Sequence, residues 1–157
     1  MHLHKYEKIW LIFGVGSLVL FLLVLGVSAF AFGHQPPSHM GKVDSQNLAQ
    51  DPVFSNPGVT QINETTYQAT IIAQAFGYEP SVVEVPEGST VIFQVTSKDV
   101  VHSFTIPETN VNFMVTPGHV NMATHTFNEP GEYLVLCNEY CGTMHHMMQM
   151  RIEVTPK

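Results

Sequence analysis

The chain divides by hydropathy into one long apolar stretch near its start and a series of short alternating segments further on. Residues 9–32, IWLIFGVGSLVLFLLVLGVSAFAF, carry no charged side chain. A bilayer core is crossed by roughly 20 apolar helical residues, so this stretch predicts a membrane-spanning helix. The small residues of AFA at 29–31 would also suit the cleavage site of a signal peptide. Apolar segments of signal peptides are only about 7–15 residues long, which favours a retained span.

The second half of the chain consists of short segments typical of β-strands, separated by turn residues. Seven of these segments are TYQATIIAQAFGY, SVVEV, TVIFQVTS, HSFTIP, MATHTF, EYLVLC and QMRIEV. In the last one, Met150, Ile152 and Val154 alternate with polar residues, which is the period of a half-buried strand. With no helical period over 61–157, the pattern predicts an all-β Greek-key sandwich.

The remaining segments predict a linker and a short N-terminal extension. Residues 33–60 are rich in Pro, Gly, Ser, Asn and Gln and show no apolar period, as expected of a linker. Residues 1–8 contain Lys5 and Lys8, whereas the first stretch after the span has one lysine against two aspartates. The positive-inside rule therefore places residues 1–8 in the cytoplasm and the sandwich outside.

The whole chain is acidic, with 13 acidic and 6 basic residues and a formal net charge of -7. Its basic residues form no cluster that could follow a phosphate backbone, which argues against nucleic acid as a partner. From Met40 onward there are twelve acidic residues and four basic ones. Such a domain could steer a basic protein partner by long-range attraction.

Both cysteines of the chain lie in CNEYCGTMHHMM, residues 137–148, in the loop between two predicted strands. One interpretation is a disulfide between Cys137 and Cys141, which an oxidising exterior permits but which gives the His and Met residues no role. Another is a structural Cys2His2 zinc site with His145 and a distant imidazole, which leaves Met148 without a role. The third is copper, which soft thiolate and thioether ligands select together with imidazole.

The number of cysteines bears on how many copper ions the loop can hold. A blue-copper site uses one cysteine with His and Met ligands, so that Cys137 would be surplus. Two neighbouring thiolates can instead bridge two copper ions, each of which then takes one imidazole and one weak axial ligand.

The spacing CxxxCxxxHxxM resembles the ligand loop of subunit II of the haem-copper cytochrome c oxidases. The matching residues are Cys137, Cys141, His145 and Met148, with His102 in DVVHSFTIP as the upstream histidine. The resemblance implies a cupredoxin domain in which these side chains and the backbone carbonyl of Glu139 hold a dinuclear copper centre, Cu-A. It also implies that the domain accepts electrons from cytochrome c. The electrons would pass to haem in subunit I, where oxygen is reduced and protons are pumped.

The single predicted span and the segments YEKIW and AQAFGYEPSVVEVPEG are similar to the B family, the ba-type oxidases of bacteria and archaea. This resemblance implies a single-pass protein of the plasma membrane, assembled with subunit I in the lipid bilayer, whose C-terminal domain faces outward. The alternative function is a membrane-anchored blue-copper electron carrier, or a copper carrier, outside an oxidase.

Three residues near the predicted centre take further roles from the resemblance. At the position of Glu139 the ba-type members carry Gln, whereas A-family members use Glu to reach a magnesium ion, so magnesium is left open. A hard carboxylate oxygen suits magnesium better than an amide does. Phe76 and Tyr78 match a part of the ba-type pattern near the copper edge and are candidates for cytochrome c docking. The alternative is that both are core aromatics.

The resemblance also bears on Glu7, in KYEKIW just before the span. In ba-type oxidases the corresponding glutamate lies at the mouth of a proton channel through subunit I, so Glu7 is a candidate for proton entry. The alternative is a solvated interfacial charge. His146 follows His145 directly, and neighbouring side chains of an extended stretch point oppositely, so His146 is not expected to be a ligand.

Overall fold

The computed structural model of the protein describes residues 4–31 and 38–157. The chain forms two compact units, Met1–Gln35 and Pro36–Lys157. Residues 1–3 of the predicted N-terminal segment, the last residue of the predicted span and the first five residues of the predicted linker lie outside the described residues.

The described part of the first unit contains one α-helix, α1, Lys5–Ala31. Glu7 Oε2 accepts a hydrogen bond from the backbone N–H of His4 at 2.8 Å, which is one half of a capping box at the start of the helix. None of the residues of α1 is buried. The most apolar part of α1 has a mean hydropathy of 2.6, and the helix is long and apolar enough to cross a membrane.

The described part of the second unit is a sandwich of two β-sheets. The first sheet contains β1 (Ser38–Lys42), β2 (Gly58–Gln61), β3 (Thr66–Gln74), β4 (Gly77–Glu79), β6 (Ser89–Ser97) and β9 (His119–Phe127). The second contains β5 (Val82–Pro86), β7 (His102–Thr105), β8 (Asn112–Val115), β10 (Gly131–Leu136) and β11 (Gln149–Thr155). The prediction of an all-β sandwich with one N-terminal apolar helix is confirmed.

The strand order shows how the chain crosses between the sheets. The first sheet runs β1-β9-β6-β3-β2, with β4 added to β3, and the second runs β5-β11-β10-β7-β8. Most neighbours are antiparallel, but β3 pairs with β6 and β5 with β11 in parallel. Parallel neighbours cannot be joined by a tight hairpin, so the chain passes to the other sheet between them.

The core lies between the two sheets and follows the alternation of apolar residues. Met150, Ile152 and Val154 of β11 are all buried, as the sequence pattern predicts. The fully buried rings of Phe93 on β6 and Phe104 on β7 pack with their centroids 5.2 Å apart. Burial of each such side chain contributes about 1.5–3 kcal/mol, so the sandwich is a firm support for its loops.

The prediction of a linker over 33–60 is wrong for the part that the structure describes. This part contains β1, most of β2 and a 3₁₀ turn at Leu48–Gln50. Buried Val43, Leu48 and Phe54 form a second apolar cluster with residues of β3 and β9. The sequence pattern does not reveal these strands, because each is short and the apolar residues lie far apart. The segment becomes ordered only by pairing with a sheet that other strands form.

Strand pairing brings the candidate ligands to one end of the second sheet. Thr105 of β7 is paired with Leu136 of β10, and Leu136 is paired with Gln149 of β11. Because β7 and β10 are antiparallel, the chain that follows β10 runs back along β7 towards His102, next to the residue that precedes β11.

Candidate metal centre

The loop that joins β10 to β11, residues 137–148, is fastened at both ends. The backbone N–H of Cys137 donates to the carbonyl of Met148 at 3.4 Å, which closes the loop. The Asn138 N–H donates to the Ser103 hydroxyl of β7, and Asn138 Nδ2 donates to Thr105 Oγ1 at 3.1 Å. These contacts fix the backbone around the first cysteine against the neighbouring strand.

The structure gathers the sulfur and nitrogen donors of this loop around the two cysteines. The Sγ atoms of Cys137 and Cys141 are 4.0 Å apart. His102 Nδ1 lies 3.9 Å from Cys137 Sγ, and His145 Nδ1 lies 3.6 Å from Cys141 Sγ. Among the described residues, His102, Cys137 and Cys141 form a group whose ligand atoms lie within 4.8 Å of one another.

Two weaker donors complete the set. The carbonyl oxygen of Glu139 is 3.3 Å from Cys137 Sγ, and Met148 Sδ is 3.6 Å from Cys141 Sγ. Each sulfur therefore has one imidazole nitrogen and one weak donor beside it. The Met148 side chain is only 2% exposed, so its thioether is held inside the site.

The thiols favour a soft cation over a disulfide. Both cysteines are free, and their separation is about twice the ~2.05 Å of an S–S bond. Burial, and then the adjacent Cys137, raise the pKa of the Cys141 thiol to about 11. A metal ion that binds there must displace a proton, so its affinity rises with pH. Two thiols, two imidazoles and a thioether fit copper better than zinc, which has no use for the thioether.

Asp99, in the turn before β7, holds the imidazole of His102. Its Oδ1 lies 2.8 Å from His102 Nε2, so that Nδ1 faces the sulfur of Cys137. The other oxygen, Oδ2, accepts a hydrogen bond from the backbone N–H of Ala75 at 2.7 Å. Burial acts to raise the pKa of Asp99, but hydrogen bonds from His102, Ala75 and Val100 outweigh it and leave the pKa below its usual value.

Replacement of Asp99 by alanine is expected to weaken metal binding about 10- to 100-fold, because partners of ligating histidines fix their orientation and basicity. The measurement is competition for copper with a chelator, using Glu84→Ala, an exposed carboxylate of β5, as the control. Equal affinities of Asp99→Ala and Glu84→Ala would show that Asp99 does not position the ligand.

Phe76 and Tyr78, both candidates for docking, have different surroundings. Phe76 is 38% exposed, and its ring lies over Gly142 in the ligand loop. A Cβ on Gly142 would come within 2.8 Å of that ring, and its φ of +132° also disfavours other residues. Tyr78 is 5% exposed and donates its hydroxyl to the Ser103 carbonyl. The prediction of docking is therefore wrong for Tyr78, which is a core residue.

The other predicted residues lie as follows. Glu139 is half-buried and its carbonyl, as described above, is the part that faces the cysteines. His146 is exposed, as expected. The reason differs from the expected one, because His146 lies in a 3₁₀ turn, His145–Met147, and not in an extended stretch. Sequence reasoning missed Asp99, whose signal was its place three residues before His102 in DVVH.

The chain is similar to known proteins both in sequence and in structure. The model of the family "Cytochrome C oxidase subunit II, periplasmic domain" matches residues 61–155. A cytochrome c oxidase subunit 2 of Thermus thermophilus is 37% identical over 147 residues, which cover 91% of this chain and 88% of the relative.

Two solved structures are similar as well. A chain of a haem-copper terminal oxidase dimer, determined by cryo-electron microscopy, has a TM-score of 0.82 and 30% identity, with 96% of this chain and 99% of that chain covered. The periplasmic domain of subunit II of the Bradyrhizobium japonicum oxidase has a TM-score of 0.53 at 19% identity, over 62% of this chain and 89% of that chain, and supports the fold alone.

The fold and the donor set define a cupredoxin-like protein with a candidate copper site of two cysteines, preceded by one apolar helix. The matches to the family model and to the Thermus relative identify its family. The chain belongs to the cytochrome c oxidase subunit II family.

Proposed function

We propose that this chain is the electron-entry subunit of a haem-copper terminal oxidase and holds a dinuclear Cu-A centre. The proposed ligands are His102, Cys137, the Glu139 carbonyl, Cys141, His145 and Met148. The observation that carries the proposal is the pairing described above, in which each of two adjacent sulfurs has its own imidazole. A single-copper carrier leaves the second buried thiol and its histidine unexplained.

When bound, a copper pair at these residues would supply a one-electron redox centre. The contribution of the chain is to keep the ligands in place whichever redox state is present. The Asp99 contact, the anchored backbone of Asn138 and the buried Met148 all restrict movement of the donors. A rigid donor set of this kind lowers the structural change that accompanies electron transfer.

The proposed partners are cytochrome c on the outside and subunit I, with its haem, inside the bilayer. Oxygen reduction and proton pumping would then occur in subunit I, and this chain needs no substrate pocket. The charges that flank α1 support a cytoplasmic N-terminus and an outward domain in the plasma membrane of a bacterium or archaeon. A magnesium ion at Glu139 would need further hard oxygen ligands, which a partner subunit would have to provide.

The test of this function uses the intact complex purified from its native membrane. Mixing with reduced cytochrome c should reduce the copper centre first and the haem afterwards, as seen in their separate absorption bands. Reduction of haem at full rate in a complex that lacks copper in this chain would overturn the proposal.

Docking of cytochrome c is proposed to use the exposed Phe76 ring beside the ligand loop. Phe76→Ala should slow donor oxidation about tenfold, since a buried aromatic anchor commonly contributes that much to an interface. The rate should fall only modestly with added salt, because apolar contacts are not screened. The control is Ile62→Ala, which removes an exposed apolar side chain outside the site.

A flat salt response together with an unchanged rate in Phe76→Ala would remove both Phe76 and the acidic residues from the docking surface. A steep salt response would assign docking to the acidic residues of the domain instead. The spectrum of the copper centre serves as the check that Phe76→Ala has not disturbed the loop beneath the ring.

Glu7 is proposed to collect protons for the channel of subunit I. Glu7→Gln should lower steady-state oxygen consumption and slow proton uptake, while the copper spectrum and the oxidation of the first donor equivalent stay unchanged. Glutamine keeps an oxygen that can accept the His4 N–H, so the cap of α1 is preserved. Wild-type turnover in a fully assembled Glu7→Gln complex would leave Glu7 with its capping role alone.

A further inference from the structure

The 3₁₀ turn at His145–Met147 presents two methionines to the outside of the metal centre. Met144 is the residue that precedes the turn, and the N–H of Met147 donates to the Met144 carbonyl at 2.9 Å. Met144 is 45% exposed and Met147 is 60% exposed. Methionine is among the residue types most often buried, so a pair of exposed thioethers next to a metal site calls for an explanation.

The geometry of the turn determines the face on which each of its side chains lies. A 3₁₀ helix has three residues per turn, so residues i and i+3 lie on the same face. His145 and Met148 share the face that points at Cys141, with donor atoms 3.6 Å from its sulfur. Met144 and Met147 share the next face, about 120° around the turn. Met144 and Met147 therefore lie next to the inner donor residues His145 and Met148 on one short element.

We propose that Met144 and Met147 form a surface site for Cu(I), from which the ion passes to the inner donors when the centre is loaded. Thioether sulfur is a soft ligand that selects Cu(I) over hard cations. Thioethers carry no proton and no charge, so they bind and release the ion without proton transfer. Such a site suits the capture and release of Cu(I), whereas the buried thiols suit its long-term binding.

The transfer step is a ligand exchange without redox chemistry. The bonds from copper to the Met144 and Met147 sulfurs break, and bonds from copper to Cys141 Sγ and His145 Nδ1 form in their place. The S–H proton of Cys141 passes to solvent, and the copper remains Cu(I) throughout. This step rests on the proposed copper centre, whereas binding of Cu(I) at the surface does not.

The binding claim is tested in the full-length chain with both thiols removed, Cys137→Ser/Cys141→Ser, kept anaerobic in detergent. Cu(I) affinity is measured by competition with a chromogenic chelator. Adding Met144→Leu and Met147→Leu should weaken Cu(I) binding by about tenfold or more, because both surface donors are lost. Adding Met114→Leu, which changes a methionine of β8 that is 48% exposed, should leave the affinity unchanged.

The transfer claim is tested by the rate at which the metal-free chain takes up Cu(I) from a chelate. Met144→Leu/Met147→Leu should load several-fold more slowly than the wild-type chain and Met114→Leu, and should reach the same final copper content. Equal loading rates of the double variant and the wild-type chain would overturn the claim that Cu(I) passes from the methionine pair to the inner donors. Equal Cu(I) affinities in the thiol-free chains would overturn the surface site.

These outcomes are distinct from failure of the proposed function. A wild-type chain that ends with one copper would contradict the dinuclear centre but not the surface site, since the affinity comparison uses chains without thiols. Slower oxidation of cytochrome c in Met144→Leu/Met147→Leu, with unchanged Cu(I) affinity, would assign the methionine pair to docking and overturn the proposal.

Discussion

Replacement of Cys141 by serine is expected to abolish the dinuclear centre. Cys141 Sγ lies within 4.0 Å of the other thiol sulfur, of His145 Nδ1 and of Met148 Sδ, so its loss removes a donor that lies beside three others. A serine hydroxyl is a hard donor and holds its proton at neutral pH, so it cannot bridge two soft copper ions. The mixed-valence signal and the fast oxidation of cytochrome c should both disappear.

The measurement is electron paramagnetic resonance together with copper analysis of the purified variant. Thr143→Ser, an exposed change in the same loop, is the matched control and should retain the wild-type signal. Thermal unfolding of both variants separates loss of the centre from loss of the fold. A folded Cys141→Ser chain that kept two coppers and the mixed-valence signal would contradict the assignment of Cys141 as a bridge.

Replacement of His102 by alanine is expected to have the second largest effect. The His102 ring is fully buried between Asp99 and Cys137, so its removal takes away one imidazole donor and leaves an unfilled space beside the sulfur. A cavity of this kind also costs stability, about 2–5 kcal/mol for large-to-alanine changes. One copper should be lost or its signal strongly distorted.

The control for this prediction is His146→Ala. His146 is exposed and lies on the face of the 3₁₀ turn that points away from the cysteines, so its loss should leave the spectrum nearly unchanged. The two variants are compared by optical and paramagnetic spectra at equal protein concentration. An altered spectrum in His146→Ala with a normal one in His102→Ala would reverse the choice of ligand.

The sequence predicted those parts of the site that lie in one loop. Cys137, Cys141, His145 and Met148 are spaced so closely that the chain itself keeps them together, and their residue types already favour copper. His102 is 35 positions away from Cys137, and its place depends on the pairing of β7 with β10, so it was identified through the family resemblance.

Other features depend on contacts that no local pattern records. The hydrogen bond that the backbone N–H of Ala75 donates to Asp99 joins two separate turns, and the contact of Phe76 with Gly142 joins a hairpin to the ligand loop. Tyr78 takes its docking role from the family resemblance alone, and its burial follows from the pairing of β4 with β3, where Tyr78 lies opposite Ala73. Strands β1, β2 and β8 were missed because each has only four or five residues and depends on a neighbouring strand.

The most direct test of the proposed centre is the copper content of the full-length wild-type chain, measured together with its paramagnetic resonance spectrum. The predicted result is two coppers per chain and one unpaired electron shared equally between the two nuclei. A single copper with a localised blue-copper signal, or zinc in place of copper, would contradict the proposal that Cys137 and Cys141 bridge a dinuclear centre.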